Sequence, residues 1–245
     1  MTIRSPVAFG MSSLSPALVA LCLTTAFVFA PAVADDSSDA APPEPDPAAA
    51  SASEAEAIER LTAFTTGLES FRARFEQTLY GADSEALQSS TGTVVLKRPG
   101  RFVWDYAEPA AQRIVADGER IWLYDRELDQ VTVNPIDERV AGTPFTLLTG
   151  SAPLGEAYEV TVLGESEGIE WFELVPKTAS GDFEMLFVGL EGAALAALEL
   201  RDAFGQATQI LFADFEANVE VEDETFVFDV PDGVDVIGLE SMEGE

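Results

Sequence analysis

Lys97-Arg98-Pro99-Gly100-Arg101-Phe102-Val103-Trp104-Asp105-Tyr106 decides how the rest of the chain is read. Pro99-Gly100 is a turn signal, and beyond it Phe102, Trp104 and Tyr106 alternate with Val103 and Asp105, the period of a strand. Three aromatic side chains therefore share one face of that strand. A two-residue hairpin at Pro99-Gly100 would pair Arg98 with Arg101 and turn Arg98 away from Phe102. A bulge or longer bend at Pro99 is needed to bring Arg98 to the aromatic face.

The alternation extends in both directions. Phe71, Ala73, Phe75, Gln77 and Leu79 form one stripe, and turn residues at Gly81-Ala82-Asp83 and Asp117-Gly118 divide the chain up to about residue 133 into an antiparallel meander. Further strands are expected at Tyr158–Leu163, Ile169–Val175, Phe183–Leu190, Ala194–Arg201 and Gln206–Phe215, with a last short one over Phe226–Val230 and a polar tail at 237–245. Upstream, Ser53 and Glu56 have capping-box spacing, and Ile58, Leu61, Phe64 (or Thr65) and Leu68 recur at helical intervals, predicting one amphipathic helix from near residue 54 to Gly67–Ser70. Thr143-Pro144-Phe145-Thr146-Leu147-Leu148 carries an N-cap, a first-turn proline and an apolar face ended by Gly150, so a short helix interrupts the strands there. The fold expected is mainly β with a few α-helices: a strongly curved antiparallel sheet, a half-closed β-barrel, with helices over its concave face.

Arg4, an apolar run from Leu18 to Ala30 and the small residues Ala32-Val33-Ala34 read as a secretory signal peptide over residues 1–34, cleaved after Ala34. The run is short for a membrane span, which needs about 20 apolar residues. Cys22 follows Leu21, where a lipoprotein leader carries a small residue, which argues against a lipid-modified N-terminus. It is the only cysteine, so its loss with the leader leaves no disulfide, and stability must come from a core within 53–236. Residues 35–52, rich in Asp, Pro and Ala, read as a disordered acidic spacer.

The 245 residues hold 44 acidic and 13 basic side chains, a net charge of −31, and only two lysines, Lys97 and Lys177. Nucleic acid and anionic membrane surfaces are excluded as partners by repulsion, whereas a basic surface on a protein partner is compatible. With no histidine, a Ser-His-Asp triad and every histidine-ligated metal site are ruled out. No phosphate-binding glycine loop is present. What remains for an enzyme is carboxylate chemistry, for which Asp105 with Glu108 and Asp125 with Asp129 are the available pairs; among 44 acids such pairs arise by chance. Glu222-Asp223-Glu224 lacks the spaced ligands and turn glycine of a calcium loop.

Phe71-Arg72-Ala73-Arg74-Phe75-Glu76-Gln77, the Lys97–Tyr106 stretch, Asp117-Gly118-Glu119-Arg120-Ile121-Trp122-Leu123-Tyr124-Asp125, Gln130-Val131-Thr132-Val133, Thr143-Pro144-Phe145, Leu174-Val175-Pro176-Lys177 and Asp202-Ala203-Phe204-Gly205-Gln206 follow one another in an order that resembles the periplasmic lipoprotein-carrier family, the LolA proteins. The resemblance spans roughly residues 54 to 232. It implies the same half-barrel with a helical lid and an acyl-chain cavity contributed to by Phe102, Trp104, Tyr106, Phe145 and Leu148. It implies that Arg98 hydrogen-bonds main-chain oxygens of the lid helices. It also implies a monomeric periplasmic carrier without cofactor or catalysis. Such a carrier takes acylated lipoproteins from an ATP-driven inner-membrane complex to an outer-membrane receptor. A lipid- or lipoprotein-sensing binding protein of the same fold is the alternative, and a carboxylate glycan hydrolase is the third reading.

Overall fold

In the computed structural model, which describes residues 47–136, 153–178 and 183–238, α1 (Pro47–Gly67) leads into β1 (Ser70–Tyr80), β2 (Ala86–Lys97), β3 (Arg101–Glu108), β4 (Gln112–Asp117), β5 (Arg120–Asp125) and β6 (Gln130–Pro135). A single turn, α2 (Leu154–Ala157), precedes β7 (Tyr158–Ser166), β8 (Ile169–Pro176), β9 (Met185–Glu191), β10 (Ala194–Arg201) and β11 (Ala207–Ala217); a 3-10 turn at Asp223–Phe226 and β12 (Asp235–Ile237) complete the order. The sequence-predicted leader, spacer before residue 47, short helix with Phe145 and Leu148, and tail beyond 238 lie outside the described residues.

The twelve strands of the described residues belong to one sheet, ordered β12-β6-β5-β4-β3-β2-β1-β11-β10-β9-β8-β7. Two antiparallel meanders, β1–β6 and β7–β11, join where β1 pairs with β11, and the outermost strands β12 and β7 do not pair with each other. The sheet is therefore curved and half-closed rather than a sealed barrel. Period-2 alternation gives it two buried faces. On the concave side Phe71, Ala73, Phe75, Val94, Leu96, Phe102 and Trp104 pack with Leu174, Leu186, Leu198 and Ile210 from the other meander, with Ala57 and Leu61 of α1 and with Leu68 directly after it. On the convex side Val103, Val115, Trp122, Val131 and Val133 pack beneath Val221 and Phe226 of the C-terminal segment.

Three expectations need correction. The helix starts at Pro47, inside the stretch read as spacer, because Ala48-Ala49-Ala50 are strong helix formers and proline is tolerated in a first turn. Ser53 and Glu56 thus sit within the helix, not at its cap. The buried stripe keeps the expected Leu61, Thr65 and Leu68, the last just past the helix end, and has Ala57 in place of Ile58, which is exposed. The last strand is not Phe226–Val230: Phe226 ends the 3-10 turn, and the strand is Asp235–Ile237, pairing parallel to β6. The polar-looking end of the chain therefore borrows backbone hydrogen bonds from the sheet edge and covers its unpaired groups.

That C-terminal segment is tied down by the Lys97–Arg101 turn. Lys97 Nζ donates to Val221 O (2.7 Å) and to Asp223 Oδ1 (2.5 Å), Arg101 Nη1 lies 2.8 Å from the same oxygen, and the Arg101 guanidinium sits 5.6 Å from the centre of the Phe226 ring. The Lys97 hydrogen bond, with the nearby Arg101 charge, holds the Asp223 carboxyl below its ordinary pKa. A depressed carboxylate pKa contributes stability above the unfolded value that is lost as pH falls through the folded one. Amide protection factors over Val219–Phe228 are expected to hold at neutral pH and to decline in the acid range below the usual carboxylate pKa. In Asp223→Asn that part of the pH dependence disappears.

Candidate functional site

Lys97 pairs with Arg101, so the β2–β3 connection is the three-residue loop Arg98-Pro99-Gly100, with Gly100 in the left-handed region at φ +66°. The longer bend that the sequence required is present, and it frees Arg98 from the pleat parity of either strand. Arg98 N donates to Glu69 O (2.8 Å), fixing the loop against the α1–β1 junction. Its guanidinium Nη1 then donates to Thr65 O in the last turn of α1.

The physical reason is the helix end itself. The last four carbonyls of an α-helix have no intrahelical donor, and the aligned peptide dipoles place partial negative charge there. No basic residue occupies the last turn of α1, so the cation comes from the sheet. Half-burial lowers the Arg98 pKa from its ordinary value, yet a guanidinium keeps its charge, so the bond to Thr65 O is charge-assisted.

A second side chain, which sequence reading missed, finishes the same helix. Asn218, at the end of β11 with φ 55°, donates from Nδ2 to Gly67 O (3.0 Å), and its Oδ1 accepts from Glu69 N (2.8 Å) and Ser70 N (3.5 Å). Its own backbone N–H donates to Ser70 O (2.6 Å), and Ser70 Oγ donates to Val219 O (2.5 Å). Asparagine is among the few non-glycine residues that adopt a left-handed φ readily. That preference, at the end of a predicted strand, was the one signal available. Beside Arg98 and Asn218 a cleft of about 850 Å³ opens between the loop and the segment Val219–Glu224.

The aromatic stripe lies beneath. Phe102 and Trp104 are fully buried on the concave side, and Tyr106 is partly buried with its hydroxyl donating to Gln77 Oε1 (3.0 Å). Burial pushes the Tyr106 phenol pKa up against that hydrogen bond, keeping it a protonated donor. Phe75 bridges the stripe, its ring centre 4.7 Å from Trp104 and 5.2 Å from Tyr106. In this arrangement Phe102 and Trp104 are packed into the core, with α1 closed over it.

One acid of each carboxylate pair has structural work. Asp105 faces Arg113 (3.4 Å) and Arg126 (3.7 Å) across neighbouring strands, and Asp125 accepts from Gln112 Nε2 (3.1 Å) and from the backbone N–H groups of Glu127 and Leu128 in its turn.

The fold and site define a class: a half-barrel with an aromatic interior, closed by a helix whose end is held through its backbone. The chain matches the family model described as outer membrane lipoprotein carrier protein LolA over residues 66–229. It is 37% identical over 184 residues to an outer-membrane lipoprotein carrier protein of Methylobacillus flagellatus and 40% identical over 183 residues to one of Methylibium petroleiphilum, covering 75% of this chain and 90% of each relative. The crystal structure of a LolA superfamily protein from Nitrosomonas europaea aligns over 71% of this chain and 97% of its own, at 13% identity and a TM-score of 0.41. The protein belongs to the LolA family.

Asn218→Gly removes the three side-chain hydrogen bonds at the helix end and keeps the left-handed backbone available. At about 0.5–1.5 kcal/mol net per bond, urea denaturation should show a loss of about 1.5–4.5 kcal/mol. Amide protection is expected to fall first at Glu69 and Ser70.

Proposed function

We propose that the protein is a periplasmic carrier that shields the acyl chains of lipoproteins in the aromatic interior beneath α1. The observation that carries this reading is the Arg98 hydrogen bond to Thr65 O, because it ties the end of the covering helix to the rim of an apolar interior. Membership of a family whose relatives are named outer-membrane lipoprotein carrier proteins supports it. The need is physical: each acyl methylene exposed to water costs about 0.8 kcal/mol, so a multiply acylated protein does not cross an aqueous space unaided. Phe102, Trp104 and Tyr106 supply the apolar wall, with Phe145 and Leu148 as further wall residues.

In this reading the protein acts as a monomer without cofactor or catalysis. Cargo comes from an ATP-driven complex of the inner membrane and goes to a receptor at the outer membrane, with ATP hydrolysed by the partner. Carriage is an equilibrium between a closed empty state and an open loaded one, and the Arg98 bond favours the closed state. That bias opposes retention of cargo and so aids its release.

Arg98→Leu removes a charge-assisted bond of about 1.5–3 kcal/mol from the closed state and adds apolar surface. Acyl-probe affinity should rise by about tenfold to a hundredfold, while hand-over of cargo to an acceptor slows. Equal affinity together with equal transfer in wild type and variant would refute the latch role.

A further inference from the structure

A groove of about 450 Å³ runs between α1 and the β9–β10 turn. Ala63, Phe64 and Gly67 form its helical wall, and Gly192, Ala193 and Ala217 face them from the sheet. Small residues keep it open: a Cβ added at Gly67 or Gly192 would meet nothing within 4 Å. Arg60 and Asn218 mark its rim, and both are engaged. Arg60 makes a two-pronged contact with Glu170 of β8 (3.1 and 2.5 Å), and Asn218 holds the α1–β1 junction.

Phe64 connects this groove to the interior. Its ring centre is 6.2 Å from Phe215, which stacks on Phe71 at 5.1 Å; Phe71 meets Phe212 at 6.4 Å, and Phe212 meets Trp104 at 6.4 Å. From Trp104 the row continues through Phe75 to Tyr106. Strict alternation along β11 would place Phe212 and Phe215 on opposite faces. A bulge prevents this: the β1–β11 register shifts between Arg72, opposite Glu216, and Arg74, opposite Ala213. Asp214 takes the left-handed conformation (φ 54°) and accepts from Arg74 Nε at 2.5 Å on the outer side. The extra residue turns Phe215 back inward.

We propose that the groove between α1 and the β9–β10 turn is the port through which an acyl chain enters, and that the row from Phe64 to Trp104 guides it inward. This rests on the carrier reading and adds the route. A peptide or sugar entering here would give up hydrogen bonds to water and find hydrocarbon walls with both rim polar groups already engaged; an alkyl chain gives up none. The walls therefore select hydrocarbon.

The test is stopped-flow association of dansyl-undecanoic acid. Ala63→Trp with Ala193→Trp fills the groove from both sides at exposed positions, and Ser89→Trp, on the exposed face of β2, is the control. Association and dissociation should both slow at least tenfold in the filled variant, with equilibrium affinity and thermal midpoint close to wild type, and the control should be unchanged. A folded double variant with association within twofold of wild type overturns the port and leaves the carrier reading standing. A wild-type protein that binds no acyl probe defeats that reading and the port with it. Should the double variant fail to fold, Ala193→Cys in a Cys22→Ser background, labelled after folding with a bulky maleimide, gives the same readout: labelling must slow association, or the port is wrong.

Discussion

The carbonyl oxygens at the end of α1 are the constraint on which this protein turns. A helix end buried without donors is costly, and here the donors come from the sheet, Arg98 to Thr65 O and Asn218 to Gly67 O. The apolar hold is narrow, with Ala57 and Leu61 fully buried along the helix and Leu68 directly after it. Full burial of a leucine contributes about 1.5–3 kcal/mol, and the solvent-screened Arg60–Glu170 pair adds little beside it. In the proposed carrier cycle the cover is held by a few contributions of similar size, so loss of the Arg98 bond is expected to shift its equilibrium.

The same short turn governs both faces of the sheet. Lys97 and Arg101 grip Asp223 and the backbone of the C-terminal segment on the convex side, while Arg98 between them reaches α1 on the concave side. Three of the chain's thirteen basic residues are concentrated there. The remaining surface is dominated by acids, which fits the proposed hand-over to partners with basic docking surfaces and explains why cations are placed where a carbonyl or carboxylate must be held.

Much of this was legible in the sequence because period-2 stripes with turn residues between them, and a helical period before Phe71, leave few other solutions: the meander, the aromatic face and the helix before β1 follow from them. What escaped reading depends on contacts distant in sequence. Asn218 acquires its role only because β11 ends against the α1–β1 junction. Phe215 faces inward only because a bulge adds a residue opposite Ala73. The helical stripe departed from the reading only at its first residue, where the small Ala57 is buried and Ile58 is exposed. The stretch after Phe226 looked like a strand by composition, yet the edge of β6 was met only at Asp235–Ile237. Arg98 was singled out by its place in a family-like motif, and the three-residue loop that frees it could not be read from Pro99-Gly100 alone.

The measurement that bears most directly on the latch is the distance between α1 and the sheet in solution. Spin labels at Glu59→Cys and Glu165→Cys, in a Cys22→Ser background, would report it by pulsed electron resonance. The account predicts one short distance in the ligand-free protein, a longer one when an acyl ligand is bound, and the longer one already populated without ligand in Arg98→Leu. A distribution that neither ligand nor Arg98→Leu alters would contradict it.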